Sequence, residues 1–170
     1  FAQSGEQTWS LGGRGHDIRS VAVSQNAEQI AIAWSDGVWN FCNLATGEIT
    51  LLDQLCEPAA RIERIANRDE FLVQFESGDL ARWDGSLRKL GIPPIHRFSL
   101  STASKTVVAF LHSGELIALD AVTGTILDRC SPMSGPLDLF AVSANGRLAA
   151  VANSSTRLVG TWAIGQGNGL

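Results

Sequence analysis

A chain of 170 residues, 45% hydrophobic and 18% charged, is long and apolar enough to bury roughly two-thirds of its unfolded surface, which excludes intrinsic disorder. Thirteen basic residues against seventeen acidic ones leave a formal charge of −4, so no basic stripe supports nucleic acid or an anionic membrane as partner. No apolar run approaches the roughly 18 residues of a membrane-spanning helix.

The chain opens on FAQSGEQTW, which has no initiator Met and none of the charged and apolar regions of a signal peptide. A processed chain or a segment of a longer one is expected, with the cytoplasm as its compartment. Cys42, Cys56 and Cys130 are odd in number and irregularly spaced, so they frame no disulfide set. Without a CxxC or HxxxH pair, and with His16, His96 and His112 scattered, no zinc site is expected either. Buried free thiols in a reducing compartment follow.

Two markers then recur along the chain. Turn signals fall at Ser35-Asp36-Gly37, Glu76-Ser77-Gly78 and His112-Ser113-Gly114, with a degenerate Asn153-Ser154-Ser155, at steps of 41, 36 and 41 residues. A second set falls at Thr46-Gly47, Asp84-Gly85, Thr123-Gly124 and Ile164-Gly165, with glycine steps of 38, 39 and 41. One period of about 40 residues governs both.

Between the markers lie short β-branched runs. First strands are predicted from Ile18, Arg61, Arg97 and Leu139, second strands from Ile30, Glu70, Thr106 and Arg147, and third strands from Val38, Asp79, Glu115 and Arg157. Fourth strands follow the Gly turns from Glu48, Ser86 and Thr125. The pattern predicts an all-β chain, a β-propeller of four blades with four antiparallel strands each, in units 16–55, 58–92, 95–130 and 136–165. Apolar residues on both faces suit sheets covered on both sides by neighbouring sheets.

The order Gly15-His16, strand IRSVAVS, strand IAIAWSDG, strand VWNFCNL resembles a WD40 repeat, in which Gly-His opens the unit and Trp-Asp closes its third strand. Only Trp83-Asp84 reproduces the closing pair literally; Cys42-Asn43, Leu119-Asp120 and Trp162-Ala163 stand at the matching positions. The stretch SGELIALDAVTGTIL from Ser113 is also similar to the repeat of pyrroloquinoline-quinone-type propellers, whose pattern places a Trp where Asp128 stands. The WD40 resemblance implies that residues 7–11 act as a closing strand for the last unit, which itself ends after a third strand near Ile164. It leaves two further expectations: this is a segment of a propeller with six to eight blades, or another subunit finishes the ring.

Motif chemistry is sparse. No GxSxG, HExxH, P-loop or GxGxxG pattern occurs, so no catalytic, cofactor or metal residue is assigned. Asp36, Asp79, Asp84 and Asp120 sit at turns, where a carboxylate caps backbone N–H groups. Trp34, Trp39, Trp83 and Trp162 are expected between blades. The sequon-like Asn153-Ser154-Ser155 is taken as chance. If the WD40 resemblance holds, the segments before each first strand and the turns between second and third strands share one rim, which presents Arg19, Asp36, Arg61, Glu76, Arg97 and His112. Such a rim suits a protein or peptide partner, with arginines as anchors. The expectation is a non-catalytic interaction scaffold. A fragment of a quinoprotein-like enzyme, or a sensor propeller fused to a catalytic module, is the alternative.

Overall fold

The structure, a computed structural model, describes residues 15–52, 57–131, 137 and 139–165. Fifteen strands and no helix occur among them, in four antiparallel sheets. β1 (Ile18–Val23), β2 (Gln29–Trp34), β3 (Trp39–Asn43) and β4 (Ile49–Leu52) form the first sheet in chain order. The second contains β5 (Ala59–Arg64), β6 (Phe71–Phe75), β7 (Leu80–Trp83) and β8 (Leu87–Lys89). The third contains β9 (Ile95–Leu100), β10 (Thr106–Leu111), β11 (Leu116–Asp120) and β12 (Ile126–Cys130). In the fourth, β13 (Leu139–Val142), β14 (Leu148–Asn153) and β15 (Leu158–Ala163) are the three strands expected from the last unit's own residues. The 7–11 segment expected to complete it lies outside the described residues.

Each sheet is a meander because tight turns allow only antiparallel neighbours. The turn between second and third strands is the same in three sheets: Gly37 N–H bonds Trp34 O at 3.1 Å, Gly78 N–H bonds Phe75 O at 3.0 Å, and Gly114 N–H bonds Leu111 O at 3.0 Å. The next turn is capped by side chains. Asn43 Oδ1 accepts from the amides of Ala45 and Thr46, and Asp120 Oδ1 accepts from those of Val122 and Thr123.

Packing between sheets follows from period two, which gives every strand a forward face toward the next sheet and a rear face toward the previous one. The forward face of the first sheet combines Ala31 and Ala33 with Trp39 and Phe41, and it meets Phe71, Val73, Phe75 and Trp83 of the second. Small residues opposite aromatic ones let the layers interdigitate. A second core joins Leu72 and Leu80 to Phe98, Val107, Ile117 and Leu119. A third joins Val108, Leu116 and Ala118 to Ala149, Val151 and Trp162. Trp39 and Trp162 are fully buried and Trp34 nearly so. Cys42 and Cys130 are buried free thiols, while Cys56 lies outside the described residues. Asn153 is 2% exposed, so a sequon there is out of reach of a glycan.

Candidate functional site

The rim is built by backbone before any side chain contributes. Just ahead of the first strand of sheets one to three, the inner strands β1, β5 and β9, the chain accepts a hydrogen bond from the turn between the second and third strands: Ser35 N–H to Asp17 O at 2.8 Å, Glu76 N–H to Pro58 O at 3.0 Å, and His112 N–H to Pro94 O at 3.1 Å. At the same place the ladder slips by one residue, between Ile18 and Ser20, between Ala59 and Arg61, and opposite Phe110 and Leu111. The unpaired residues are Arg19, Ala60 and His96. A bulge of this kind bends the strand and re-aims a side chain.

The re-aimed side chains meet the turns. Arg19 Nη1 lies 2.5 Å from Glu76 Oε1 of the second sheet, and both side chains are about two-fifths exposed. His96 packs at a tilt against His112, with ring centroids 3.9 Å apart, and against Phe110 at 5.7 Å. Asp36 accepts the Val38 N–H at 3.1 Å and lies 3.6 Å from His16 Nε2.

Of the expected rim residues, Arg61 stands in a different setting. Its Nη1 donates to Phe98 O of the third sheet at 3.0 Å, its guanidinium covers the Phe98 ring at 4.8 Å, and it pairs with Glu63. The equivalent contact one sheet earlier is Ser20 Oγ, which accepts the Ile62 N–H at 2.9 Å. Arg61 is therefore a strut between inner strands as well as a half-exposed cation. Burial raises the pKa of Glu63, and the Arg61 charge opposes that rise in part. Arg97 follows His96, interacts with other groups of the structure and stands where Arg61 does one sheet earlier, since each lies four residues before the residue, Ile65 or Ser101, whose N–H closes the first turn.

Several contacts had no signal in the sequence pattern. Buried Gln74 donates Nε2 to the Ile95 and His96 carbonyls at 3.2 and 3.0 Å, and Arg82 donates to Val122 O at 2.9 Å. Both tie the second sheet to the third. Asp128, where the quinone-type repeat has Trp, accepts the Gly165 N–H at 2.7 Å and so links the third sheet to the fourth. At the opposite rim, Glu63, Arg64, Leu100 and Ser101 help to line a cleft of about 220 Å³. No group of three or more His, Cys, Asp or Glu side chains placed to hold a metal occurs among the described residues.

In solved structures the same arrangement recurs in the β-propeller domain of Cps50 (Swd1) from Myceliophteria thermophila, with a TM-score of 0.68 at 12% identity over 87% of this chain and 51% of that one. The chain folds as propeller blades. It spans about half the length of the Cps50 domain. The computationally designed protein Ika4 is similar along almost its whole length, with a TM-score of 0.69 at 17% identity over 95% of this chain and 99% of that one. No protein-family model and no curated protein sequence matches the chain.

Acid should weaken the fold at His96. Desolvation of the ring first, then the charges of His112 and Arg97, lower the pKa of His96 below its usual 6.5. A depressed folded pKa means that the unfolded chain takes up the proton first as pH falls. Stability from this position is thus complete above about pH 6.5 and is lost as pH falls through the histidine range. Urea midpoints should decline from about pH 7 to about pH 5, and His112→Gln should make that decline shallower. Identical slopes for both proteins would show that the two imidazoles are not coupled.

Proposed function

We propose that the chain is a non-catalytic interaction scaffold whose bulged rim holds a protein or peptide partner. The observation that carries this reading is the recurrent bulge at the head of three inner strands, which turns Arg19 and His96 out of the ladder toward turns that backbone bonds hold in place. Side chains on a rigid frame lose little entropy on binding. Arg19 offers a bidentate donor to carboxylates or carbonyls, with Glu76, Asp36 and His112 completing a mixed-charge surface to which Arg97, at the position equivalent to Arg61, adds an exposed cation. In this reading Arg61 keeps the blades in step and contributes only its exposed edge.

Charge reversal tests the proposal. The double variant Arg19→Glu, Arg97→Glu should lose at least about tenfold in affinity for proteins captured by the unaltered chain, about 1.4 kcal/mol. Its melting temperature should change little, since both arginines are exposed and surface pairs such as Arg19–Glu76 are worth only about 0–1 kcal/mol. Undiminished capture of the same partners would overturn the assignment of the rim.

A further inference from the structure

Elsewhere on the rim a basic side chain meets an acidic one: Arg19 lies against Glu76, and His16 against Asp36. The head of blade three departs from this. His96, unpaired in the β9 ladder, meets His112 of the turn between β10 and β11, with ring centroids 3.9 Å apart and planes inclined by 40°. Among the described residues neither imidazole takes part in a hydrogen bond or an ion pair; their ring contacts are with each other and, for His96, with half-buried Phe110. Both histidines are exposed, so water and ions reach the pair.

Backbone bonds hold both residues in place. His112 N–H donates to Pro94 O at 3.1 Å, beside His96, and Gly114 N–H closes the turn on Leu111 O at 3.0 Å. The slip of the ladder opposite Phe110 and Leu111 turns His96 toward that turn. Each neutral ring keeps one nitrogen lone pair, the part of histidine that binds metal ions. Two imidazoles on one tetrahedral ion, at about 2.0–2.1 Å per Zn–N bond, place their centroids about 5 Å apart, so the two rings have to part by about 1 Å. Rotation of two exposed side chains supplies that opening without moving the backbone.

We propose that His96 and His112 form a two-imidazole site for a late first-row divalent metal ion: zinc, nickel or copper. Imidazole suits these ions, whereas magnesium and calcium take oxygen donors, which the pair lacks. The charge of Arg97, next along the strand, opposes every cation and so favours those that nitrogen holds strongly. Neither histidine belongs to a CxxC or HxxxH motif; the bulge and the turn bring together two residues that lie far apart in sequence. Two protein ligands leave the remaining positions of a tetrahedral ion open on the rim, to water or to a ligand from outside. The site lies within blade three, away from both ends of the array, and it stands whether or not the rim holds a partner.

Calorimetric titration of the unaltered chain with zinc chloride, in metal-free buffer at neutral pH, should show one ion bound per chain, and magnesium chloride should show none. His96→Gln and His112→Gln should each lower zinc affinity at least about tenfold, whereas His16→Gln and Cys56→Ser should leave it unchanged. Nuclear magnetic resonance of the unaltered protein serves where a variant fails to fold: the ring signals of His96 and His112 should shift together on addition of zinc while those of His16 stay. Absence of zinc binding, or binding no tighter than that of magnesium, would overturn the proposal. So would zinc binding that survives both histidine substitutions, as binding at Cys56 would, or that leaves the His96 and His112 signals in place.

Discussion

Replacing Trp39 with Ala is expected to destabilise the fold by about 3–5 kcal/mol, the largest effect of any single change considered. Trp39 is fully buried on the forward face of blade one, where its ring lies 6.2 Å from Phe75 and 6.4 Å from Trp83 of blade two. Phe41 extends the cluster to Phe71 at 5.3 Å and Trp83 at 5.4 Å. The neighbours Ala31, Ala33, Ala59 and Ala81 are too small to collapse into the vacated space. The cost therefore combines lost transfer free energy with an unrelieved cavity. Trp39→Phe keeps most of the aromatic contact, and it removes an indole N–H that meets no acceptor among the described residues. It should cost less than about 1.5 kcal/mol. Urea unfolding at neutral pH measures both, and equal losses would show that ring volume at this site is not what holds the blades together.

Gly78→Ala should follow, at about 3 kcal/mol. Its φ is +89°, which costs a residue with a side chain about 1–2 kcal/mol. A Cβ there would stand 2.8 Å from Ile95 O and 3.0 Å from Ile95 N, backbone atoms of the next blade. The same Ile95 N–H donates to Gly78 O at 2.8 Å, so relief of the clash sacrifices an inter-blade bond worth about 1 kcal/mol. Gly114 is its counterpart one blade on, with φ +87° and nothing within 4 Å of a built Cβ among the described residues. Gly114→Ala should carry only the conformational cost, about 1–2 kcal/mol. The difference between two equivalent turns isolates the contribution of the blade behind the first. Melting curves of the two variants that coincide would count against that contact.

These two residues also show what sequence reading reaches. The turn Glu76-Ser77-Gly78 and the strands on either side were legible because period two and a recurring glycine are local properties of the chain. All fifteen described strands overlap runs picked out by alternation, including the apolar runs of β2, β6 and β10. What lies behind Gly78 was not legible, since Ile95 belongs to a unit whose azimuth about the ring no local pattern encodes. Arg61 illustrates the same limit. Its place at the head of an inner strand follows from spacing, yet its bond to Phe98 O depends on how the third blade is rotated against the second. The bulges escaped for a different reason. Arg19, Ala60 and His96 share no residue type, so the irregularity that turns two of them onto the rim leaves no compositional trace. Leu139 was legible as a strand residue, but its exposure depends on what packs against the fourth sheet, which no local pattern encodes.

Successive blades pack forward face to rear face, and a double-mutant cycle across that boundary tests this packing most directly. Trp39→Ala, Phe75→Ala and the double variant, compared by urea unfolding, should give a coupling energy of about 0.5–1.5 kcal/mol, as aromatic pairs in contact do. Strictly additive losses would mean that the two rings do not meet and would contradict the stacking of blade one on blade two.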